Sequence, residues 1–428
     1  MRENKRLASR LVPQMGTLLV ALLWLWTPQL SLAFGTLPTD EFGLGVRDAA
    51  MGMAYTAVAD DFTAVYYNPA GLTLTDPGLS LNFGYKGYGR FFSVPEEEAQ
   101  DSANMAVVGV TYRHEYSVGS GWWRLPALGF AALTPLPDIR RQKDDNDPHS
   151  IRYNSQGLLP IYIGAGYEII PRVRIGATLA VTIAGSFRAT AVATGTILTP
   201  ELGGLAISGP VEVGVAPHAG IFLGPFKDWH FGFAYRGEQG MELDTSFAVE
   251  PMFDISLPPP LGVISPGRFP IVTGWSPAQF ASGIAYRGLP GWLFSSDLVF
   301  KQWDEWKSST GRHPAPEFHN RVVPRLGIEH QLTKYIALQG GYYFEPTPVP
   351  AQRGDTSYVD NDQHVFSMGL SYSLDRFIGL RTVIAPAIQL HWLTDRTTRK
   401  AERSNAFFPG YEVGGTVLSG GLVISIFP

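Results

Sequence analysis

Apolar and polar residues alternate with a period of two along most of the chain after Gly78, which is the pattern of β-strands whose two faces meet different surroundings. From Trp229 to Arg236, aromatic residues at odd positions alternate with small or polar residues at even positions. The segments 291–303, 334–345 and 362–374 show the same division. One face is therefore large and apolar, and the other is small or polar. A soluble β-sandwich would also alternate, so the period alone does not identify the solvent.

The connections between these segments distinguish a membrane barrel from a sandwich. Fourteen strands are predicted, at residues 78–92, 104–116, 125–137, 155–169, 172–188, 210–223, 228–247, 277–287, 291–303, 320–331, 334–345, 362–374, 380–396 and 413–427. Long and short connections alternate along the whole series, as in an even-numbered antiparallel barrel with tight periplasmic turns and longer outer loops. A closed barrel is the β architecture that leaves no backbone group unpaired in lipid. We therefore predict an all-β fold, a transmembrane antiparallel β-barrel of about 14 strands spanning residues 77–428.

The stretch from Gly43 to Leu72 precedes the strands and is rich in Ala and Gly, which allow close approach between backbones. It ends in the turn Asn68-Pro69-Ala70-Gly71, whose residue types are typical of turns. We predict a small N-terminal α-helical plug, or hatch, over residues 34–76, with short helices packed in a confined space. An amphipathic helix pair of a soluble domain is the alternative for these residues taken alone.

The first 33 residues have the pattern of a secretory signal peptide. Four basic residues precede an apolar run from Leu18 to Trp26, and Ser31-Leu32-Ala33 offers the small residues of a cleavage site. Cleavage after Ala33 would leave a net charge near −8, since residues 1–33 contain four basic residues and one acidic residue. Only 17% of the chain is charged, which suits a protein with a large surface away from water.

Three segments match one family of membrane proteins. They are Gly43 to Leu72, the segment LQGGYYFEPTPVP from Leu338 to Pro350, and the segment DNDQHVFSMGLSY from Asp360 to Tyr372. In this order and spacing the chain resembles the FadL-type outer-membrane transporters of long-chain fatty acids, aromatic hydrocarbons and other hydrophobic compounds. The resemblance implies a barrel in the bacterial outer membrane, occluded by an N-terminal hatch, that takes up a hydrophobic small molecule by passive diffusion.

The C-terminus departs from this resemblance. Barrels of this kind usually end in an aromatic residue, whereas Pro428 follows Phe427 here. The apolar residues Leu418, Leu422 and Ile424 are also out of phase with Phe427. The face that the last strand turns to lipid is therefore open from the sequence.

Two long outer loops are rich in apolar residues, and exposed apolar patches of this extent commonly mark binding surfaces. The resemblance makes these loops the first capture surface for a hydrophobic solute, and a lid of loops packed on each other is the alternative. The predicted capture residues are Ile197, Leu198, Leu202, Leu205 and Ile207 in one loop, and Met252, Phe253, Ile255, Leu257, Leu261, Val263, Ile264 and Phe269 in the other.

Inside the barrel, the resemblance implies an N-terminal segment that obstructs the pocket. We expect Phe34 to Leu37 to act as a movable gate, with a disordered N-terminus as the alternative. Proline cannot donate to a strand ladder, so Pro135, Pro137 and Pro160 are candidates for a lateral opening in the barrel wall. Proline at a strand terminus is the simpler explanation for Pro135 and Pro137.

Other functions are less well supported by the residues. The chain has no Cys and contains no GxSxG, HExxH or P-loop motif, so no catalytic residue, cofactor or metal is predicted. It has no basic stripe for nucleic acid. A barrel-embedded lipid hydrolase and an outer-membrane receptor or assembly scaffold for a surface protein remain alternatives. The partners expected are a hydrophobic small molecule and outer-membrane lipid, and a monomer is favoured.

Overall fold

The computed structural model describes residues 37–94, 97–114, 125–136, 152–154, 158–184, 187–192, 204–209, 212–250, 267–307, 313–314, 316–351, 360–377, 380–399 and 410–428. Its helices are short and lie at the N-terminal side: α1 Pro38–Phe42, α2 Arg47–Ala50, α3 Ala64–Tyr67 and a 3-10 helix Pro69–Leu74. No helix in these ranges is long and apolar enough to cross a membrane.

Strands make up most of the chain after these helices. They are β1 Gly78–Val94, β2 Glu97–Arg113, β3 Ala127–Leu136, β4 Arg152–Asn154, β5 Leu158–Ile170, β6 Val173–Ala184, β7 Phe187–Val192, β8 Gly204–Gly209, β9 Glu212–Phe226, β10 Trp229–Arg236, β11 Gln239–Glu250, β12 Gly267–Ser276, β13 Gln279–Tyr286, β14 Trp292–Lys301, β15 Arg321–Gln331, β16 Ile336–Glu345, β17 Gln363–Phe377, β18 Leu380–Arg399 and β19 Gly410–Phe427.

Fourteen of these strands form a closed antiparallel barrel, in the order β1-β19-β18-β17-β16-β15-β14-β13-β10-β9-β6-β5-β3-β2. The predicted fold class is confirmed, and each predicted strand has a counterpart in the barrel. Short turns, such as the one between β5 and β6, lie at one end, which we assign to the periplasm. The long connections lie at the opposite, outer end.

The two faces of the barrel strands are divided as the alternation predicts. Phe233, Leu298 and Met368 point outward and are 48%, 52% and 65% exposed in the isolated chain, as expected for side chains that meet lipid. Their neighbours Ala234 and Asp297 point inward and are buried. The small or polar face is therefore the lumen face.

The outer loops are more regular than the sequence suggests. β4, β7, β8, β11 and β12 form a separate five-stranded sheet outside the barrel. The segment 228–247, predicted as one strand, is divided between β10 in the barrel and β11 in this sheet. The segment 93–103 is also not a loop, because β1 and β2 pair up to Val94 and Glu97. The first difference arises because β11 pairs with β8, a segment about forty residues away. The second arises because β1 and β2 continue to pair beyond the membrane, where lipid does not impose the alternation.

The last strand turns its even-numbered residues to lipid. Leu418, Leu422 and Ile424 are exposed outward, while Val423 is buried in the lumen. Phe427 lies on the lumen face, where the guanidinium of Arg381 stands 3.9 Å from the centre of its ring. Phe427 therefore lines the periplasmic end of the lumen instead of facing lipid.

Candidate functional site: the hatch and the barrel lumen

The lumen is filled by the hatch, defined structurally as residues 37–76. Nearly all of its apolar side chains are buried, among them Leu44, Met53 and Val65 at 0% exposure. Glycines on the lumen face of the barrel contact the hatch. A Cβ on Gly176 would lie 2.2 Å from the carbonyl carbon of Pro69, and one on Gly341 would lie 2.0 Å from a hatch backbone nitrogen. Hatch and wall are therefore in backbone contact.

The predicted turn Asn68-Pro69-Ala70-Gly71 is one of these contact points. The side-chain amide of Asn68 donates to the carbonyl oxygens of Thr56 in the hatch (2.9 Å) and Ile221 in β9 (3.0 Å). Its side-chain oxygen accepts a hydrogen bond from the Ala70 amide at 3.2 Å. Pro69 and Ala70 begin the 3-10 helix. The turn thus joins the two halves of the hatch to the barrel wall.

Charged side chains of the barrel strands also form hydrogen bonds with the hatch backbone. Asp297 Oδ2 accepts hydrogen bonds from the backbone amides of Tyr55 (2.9 Å) and Thr56 (2.8 Å). The buried ammonium of Lys86 donates to the carbonyl oxygens of Phe42 and Gly45 at 2.5 and 2.8 Å. Both side chains replace lost water with backbone partners, which is what buried charges require.

At the periplasmic side, Arg47 of α2 connects the hatch to β15. Its guanidinium forms two hydrogen bonds with the carboxylate of Glu329, at 2.7 and 3.0 Å. It also pairs with Asp60 at 2.5 Å and donates to the hydroxyl of Tyr55 at 2.7 Å. A paired Arg–carboxylate fork of this kind is geometrically specific, so Arg47 fixes the orientation of α2.

Near the outer side, Asp40 of α1 is buried in a polar cluster. Its carboxylate accepts hydrogen bonds from the hydroxyls of Ser276 and Tyr66 and, at 2.9 Å, from the side-chain amide of Gln279. Burial by itself raises the pKa of Asp40, but the nearby Lys301 ammonium and the hydroxyl donors outweigh burial, so the pKa lies below its ordinary value. Asp40 is therefore ionised in the lumen.

In the described part of the chain, cavities lie at two levels of the lumen. One of about 10 Å³, room for about one water molecule, lies beside Asp40 and is lined by Leu37 and His218 among others. The other, of about 350 Å³, lies at the periplasmic end between hatch and wall and is lined both by charged residues such as Arg47 and Arg381 and by apolar residues such as Phe62 and Val423. The lumen is thus occluded at the level of α1, and the cavity below the hatch has a wall of mixed polar and apolar character.

The pairing between β3 and β5 stops inside the wall. The two strands are in register from Ala127–Gly166 to Ala132–Ile161, and no further pair joins them in the described part of the chain. β2 nevertheless pairs with β3 up to Leu136, and β6 pairs with β5 up to Leu158. Pro160, which precedes Ile161 in β5, is the first residue beyond this last pair without a partner on β3, and it lacks an amide donor.

This seam contains two of the three predicted prolines. Pro160 is adjacent to Ile161, the last residue of β5 that pairs with β3. Pro135 lies on β3 three residues after Ala132, opposite Met105 of β2. Pro137 lies outside the described residues. Pro135 is also the penultimate residue of β3, as the simpler explanation of a proline at a strand terminus expects, so both explanations stay open for it.

Three of the predicted capture residues lie in the five-stranded sheet. Leu205 and Ile207 belong to β8, where they pair with Val249 and Phe247 of β11, and Phe269 belongs to β12. The other predicted capture residues, and the gate residue Phe34, lie outside the described residues: Ile197, Leu198, Leu202, Met252, Phe253, Ile255, Leu257, Leu261, Val263 and Ile264. Leu37, the last residue of the predicted gate, is buried beside Asp40.

The lumen charges are a site that the sequence does not reveal. The alternation puts Asp297 and Lys301 on the polar face of their strand, but nothing local indicates that they face a hatch. The available signal is a charged residue at an inward position of a strand whose other inward positions include uncharged residues, such as Leu293, Ser295 and Val299 in β14. Such a residue needs a buried partner, and the hatch provides it.

The comparisons with known proteins agree with this architecture. No family model matches the chain. It is 23% identical over 381 residues to alkane uptake protein A of Marinobacter nauticus, with 81% of each chain covered.

Solved structures give a closer likeness in fold than in sequence. A Pseudomonas aeruginosa FadL homologue has a TM-score of 0.59 at 13% identity, covering 90% of this chain and 96% of that chain. The Ralstonia pickettii toluene transporter TbuX has 0.55 at 15%, covering 92% and 99%. The P. putida toluene transporter TodX has 0.57 at 12%, covering 92% and 99%. The resemblance seen in the sequence is confirmed: this chain has the fold of the FadL-type outer-membrane transporters.

Proposed function

We propose that the protein takes up hydrophobic compounds, fatty acids or hydrocarbons, across the bacterial outer membrane by passive diffusion through the hatched barrel. The observation that supports this most is a closed barrel whose lumen is occluded and whose wall is interrupted at the β3–β5 seam. A water-filled pore would be a poor route for such a solute. The relatives include an alkane uptake protein and toluene transporters, which favours a transporter over an enzyme.

The route begins at the outer loops in this proposal. The apolar residues of the two capture loops, partly arranged on the five-stranded sheet, bind the solute first. Phe34 to Leu37 then forms the gate, because Leu37 lines the small cavity beside Asp40 and must move before a solute can enter it. Export through a signal peptide cleaved after Ala33 would make Phe34 the first residue of this gate.

Exit is lateral in this proposal, through the β3–β5 seam. The periplasmic cavity is lined by charged as well as apolar residues of hatch and wall, so an apolar solute that enters it must desolvate charged groups such as Arg47 and Arg381, which is unfavourable. The seam instead leads towards the lipid-facing side of β3 and β5, at the level of exposed apolar residues such as Val213 and Val215. Outer-membrane lipid is then the immediate acceptor.

Uptake itself is tested with cells that do or do not produce the protein. Labelled hexadecane, palmitate and an alkylbenzene are supplied separately, and the initial rates of uptake are compared. Protein-dependent uptake of any of them supports the transporter. If none enters faster, the function is wrong, and a receptor or assembly scaffold becomes the better hypothesis.

The lateral route is tested by a disulfide across the seam, which is practical because the chain contains no Cys. Thr134 of β3 and Leu159 of β5 are replaced by Cys, one step beyond the first position that lacks a pair. A matched control, Ile183→Cys with Val213→Cys, crosslinks the adjacent paired strands at the height of Leu159. We expect oxidation to abolish uptake in the seam variant and reduction to restore it. Unchanged uptake in the oxidised seam variant would overturn lateral exit.

A further inference from the structure

The lumen residues around Asp40 determine the selectivity of the barrel among hydrophobic compounds. This inference rests on the proposed function. α1 is fixed to the wall along its whole length. Thr39 shares a hydrogen bond of 2.8 Å with the Tyr162 hydroxyl, and the Tyr343 hydroxyl donates to the carbonyl oxygen of Glu41 at 3.1 Å. Phe42 stacks on a tyrosine of β1 with the ring centres 4.4 Å apart. The gate movement therefore ends before α1, and Asp40 stays in place as part of the pocket wall.

Asp40 interacts with two buried cations, and one of these cations has a second anion as its ion-pair partner. Asp40 and Glu345 are the anions, and Arg236 and Lys301 are the cations. Lys301, which is 2% exposed, forms an ion pair with Glu345. Arg236, which is 3% exposed, donates to the side-chain oxygen of Gln279 at 3.0 Å, and Gln279 donates in turn to Asp40.

This arrangement leaves both cations compensated. Gln279 links Arg236 to Asp40, and the guanidinium of Arg236 also lies 5.0 Å from the centre of the Tyr66 ring. A second carboxylate entering the cavity would meet Asp40, and Arg236, the cation among the described residues that line the cavity, is already linked to Asp40 through Gln279. The free energy of burying such a charge is strongly unfavourable, whereas an uncharged chain brings no such cost.

We propose that Asp40 is a specificity-determining residue that makes the lumen select uncharged hydrocarbons over fatty-acid carboxylates. Its carboxylate neutralises the cations that a fatty acid would otherwise use. Removal of this charge leaves a net positive cluster of Arg236, Lys301 and Glu345, which attracts a carboxylate. The selectivity thus resides in a hatch side chain, and the barrel wall supplies the cations.

The test compares three labelled cargoes with the same sixteen-carbon chain: hexadecane, palmitate and methyl palmitate. Methyl palmitate keeps the bulk of the head group without its charge. With the wild-type protein we expect hexadecane and methyl palmitate to enter and palmitate to enter far more slowly. In Asp40→Asn, the palmitate-to-methyl palmitate ratio should rise by about tenfold, the size of a nearby-charge effect in a buried site.

Two further variants separate charge from structure. Asp40→Asn combined with Lys301→Gln restores a balanced cluster and should return the ratio to the wild-type value. Asp228→Asn makes the same change of side chain in an exposed periplasmic turn and should leave the ratio unchanged. Folding of every variant is checked by the heat-dependent mobility of the barrel in gel electrophoresis.

Three results would contradict the role of Asp40 or the proposed function. Equal or faster uptake of palmitate by the wild-type protein overturns the role of Asp40 while the transporter function stands, and this comparison needs no variant to fold. An unchanged ratio in folded Asp40→Asn overturns it as well. Failure of the wild-type protein to take up any of the three cargoes contradicts the proposed function itself.

Discussion

Single side chains hold the hatch, and Lys86 shows how much depends on one of them. Its ammonium donates to the carbonyl oxygens of Phe42, Gly43 and Gly45 at 2.5, 2.7 and 2.8 Å. Gly43 follows α1 and has a φ of 76°, a conformation that glycine adopts without strain. Lys86 therefore fixes the point where the chain turns from α1 towards α2.

Replacement of Lys86 by Met removes these donors and leaves the carbonyl groups buried without them. Hydrogen bonds to charged groups contribute about 1.5–3 kcal/mol each, so the turn should open more than tenfold more often. Hydrogen exchange at the amides of residues 42–46, followed by mass spectrometry, measures this opening. Lys307→Met, in an exposed outer loop, is the control. Equal exchange in the two variants would show that the hatch does not need Lys86.

Asp360 gives an outer loop a dependence on pH. Burial, with a smaller contribution from the charge of Glu345, raises the pKa of Asp360, a hydrogen bond from Thr347 partly opposes the shift, and the resulting pKa is about 7. The folded loop therefore binds a proton more tightly than the unfolded chain, whose Asp pKa is about 3.9. Loop stability should be complete below about pH 4, fall between pH 4 and 7, and change little above pH 7.

Hydrogen exchange at the Thr347 amide reports on this loop, because that amide donates to Asp362 at 2.7 Å. After correction for the intrinsic pH dependence of exchange, its protection should fall between pH 5 and 7. Asp360→Asn cannot ionise and should give constant protection over the same range. A wild-type loop with constant protection would refute the prediction.

At the scale of the elements, the barrel strands can be predicted from the sequence and the outer sheet cannot. Lipid on one side and a small-residue hatch on the other impose a period of two, so residues such as Phe233 and Ala234 reveal the strand and its faces locally. β8 and β11 instead pair across about forty residues above the membrane. No local alternation encodes that pairing, so the sequence predicts the segment 228–247 as one strand.

The fit between hatch and wall is also hidden in the sequence, although its glycines are plain to see. Gly176, Gly220 and Gly341 occupy the small face of their strands, but small residues alone do not show what they approach. Only the structure shows hatch backbone or the Asn68 side chain at each of them. The same holds for Asp297, whose hatch partners lie more than 240 residues away.

A methyl group added to one of the glycines that contact the hatch should therefore destabilise the packing of the hatch in the barrel. In Gly176→Ala the new Cβ would lie 2.2 Å from the Pro69 carbonyl carbon and 2.3 Å from the Ala70 nitrogen, both backbone atoms. We expect a loss of about 1–3 kcal/mol from overpacking, seen as a lower midpoint of heat-dependent gel mobility. Gly340→Ala is the control, because its Cβ would come no closer than 3.4 Å to a flexible side chain. Similar midpoints for the two variants would contradict the backbone contact.

For the whole molecule, the occluded lumen predicts how the barrel conducts ions. The passage at α1 has a cavity of only about 10 Å³, whereas the periplasmic cavity holds about 350 Å³. The wild-type protein in a planar bilayer should therefore conduct almost no current, since hydrated ions cannot pass α1. Deletion of Leu37–Phe42 removes the obstruction and should give discrete conductance steps. The oxidised seam variant retains α1 and serves as the control that should stay closed. Large steps in the wild-type protein would mean that the hatch is not the barrier, and a closed deletion variant would place the barrier elsewhere in the lumen.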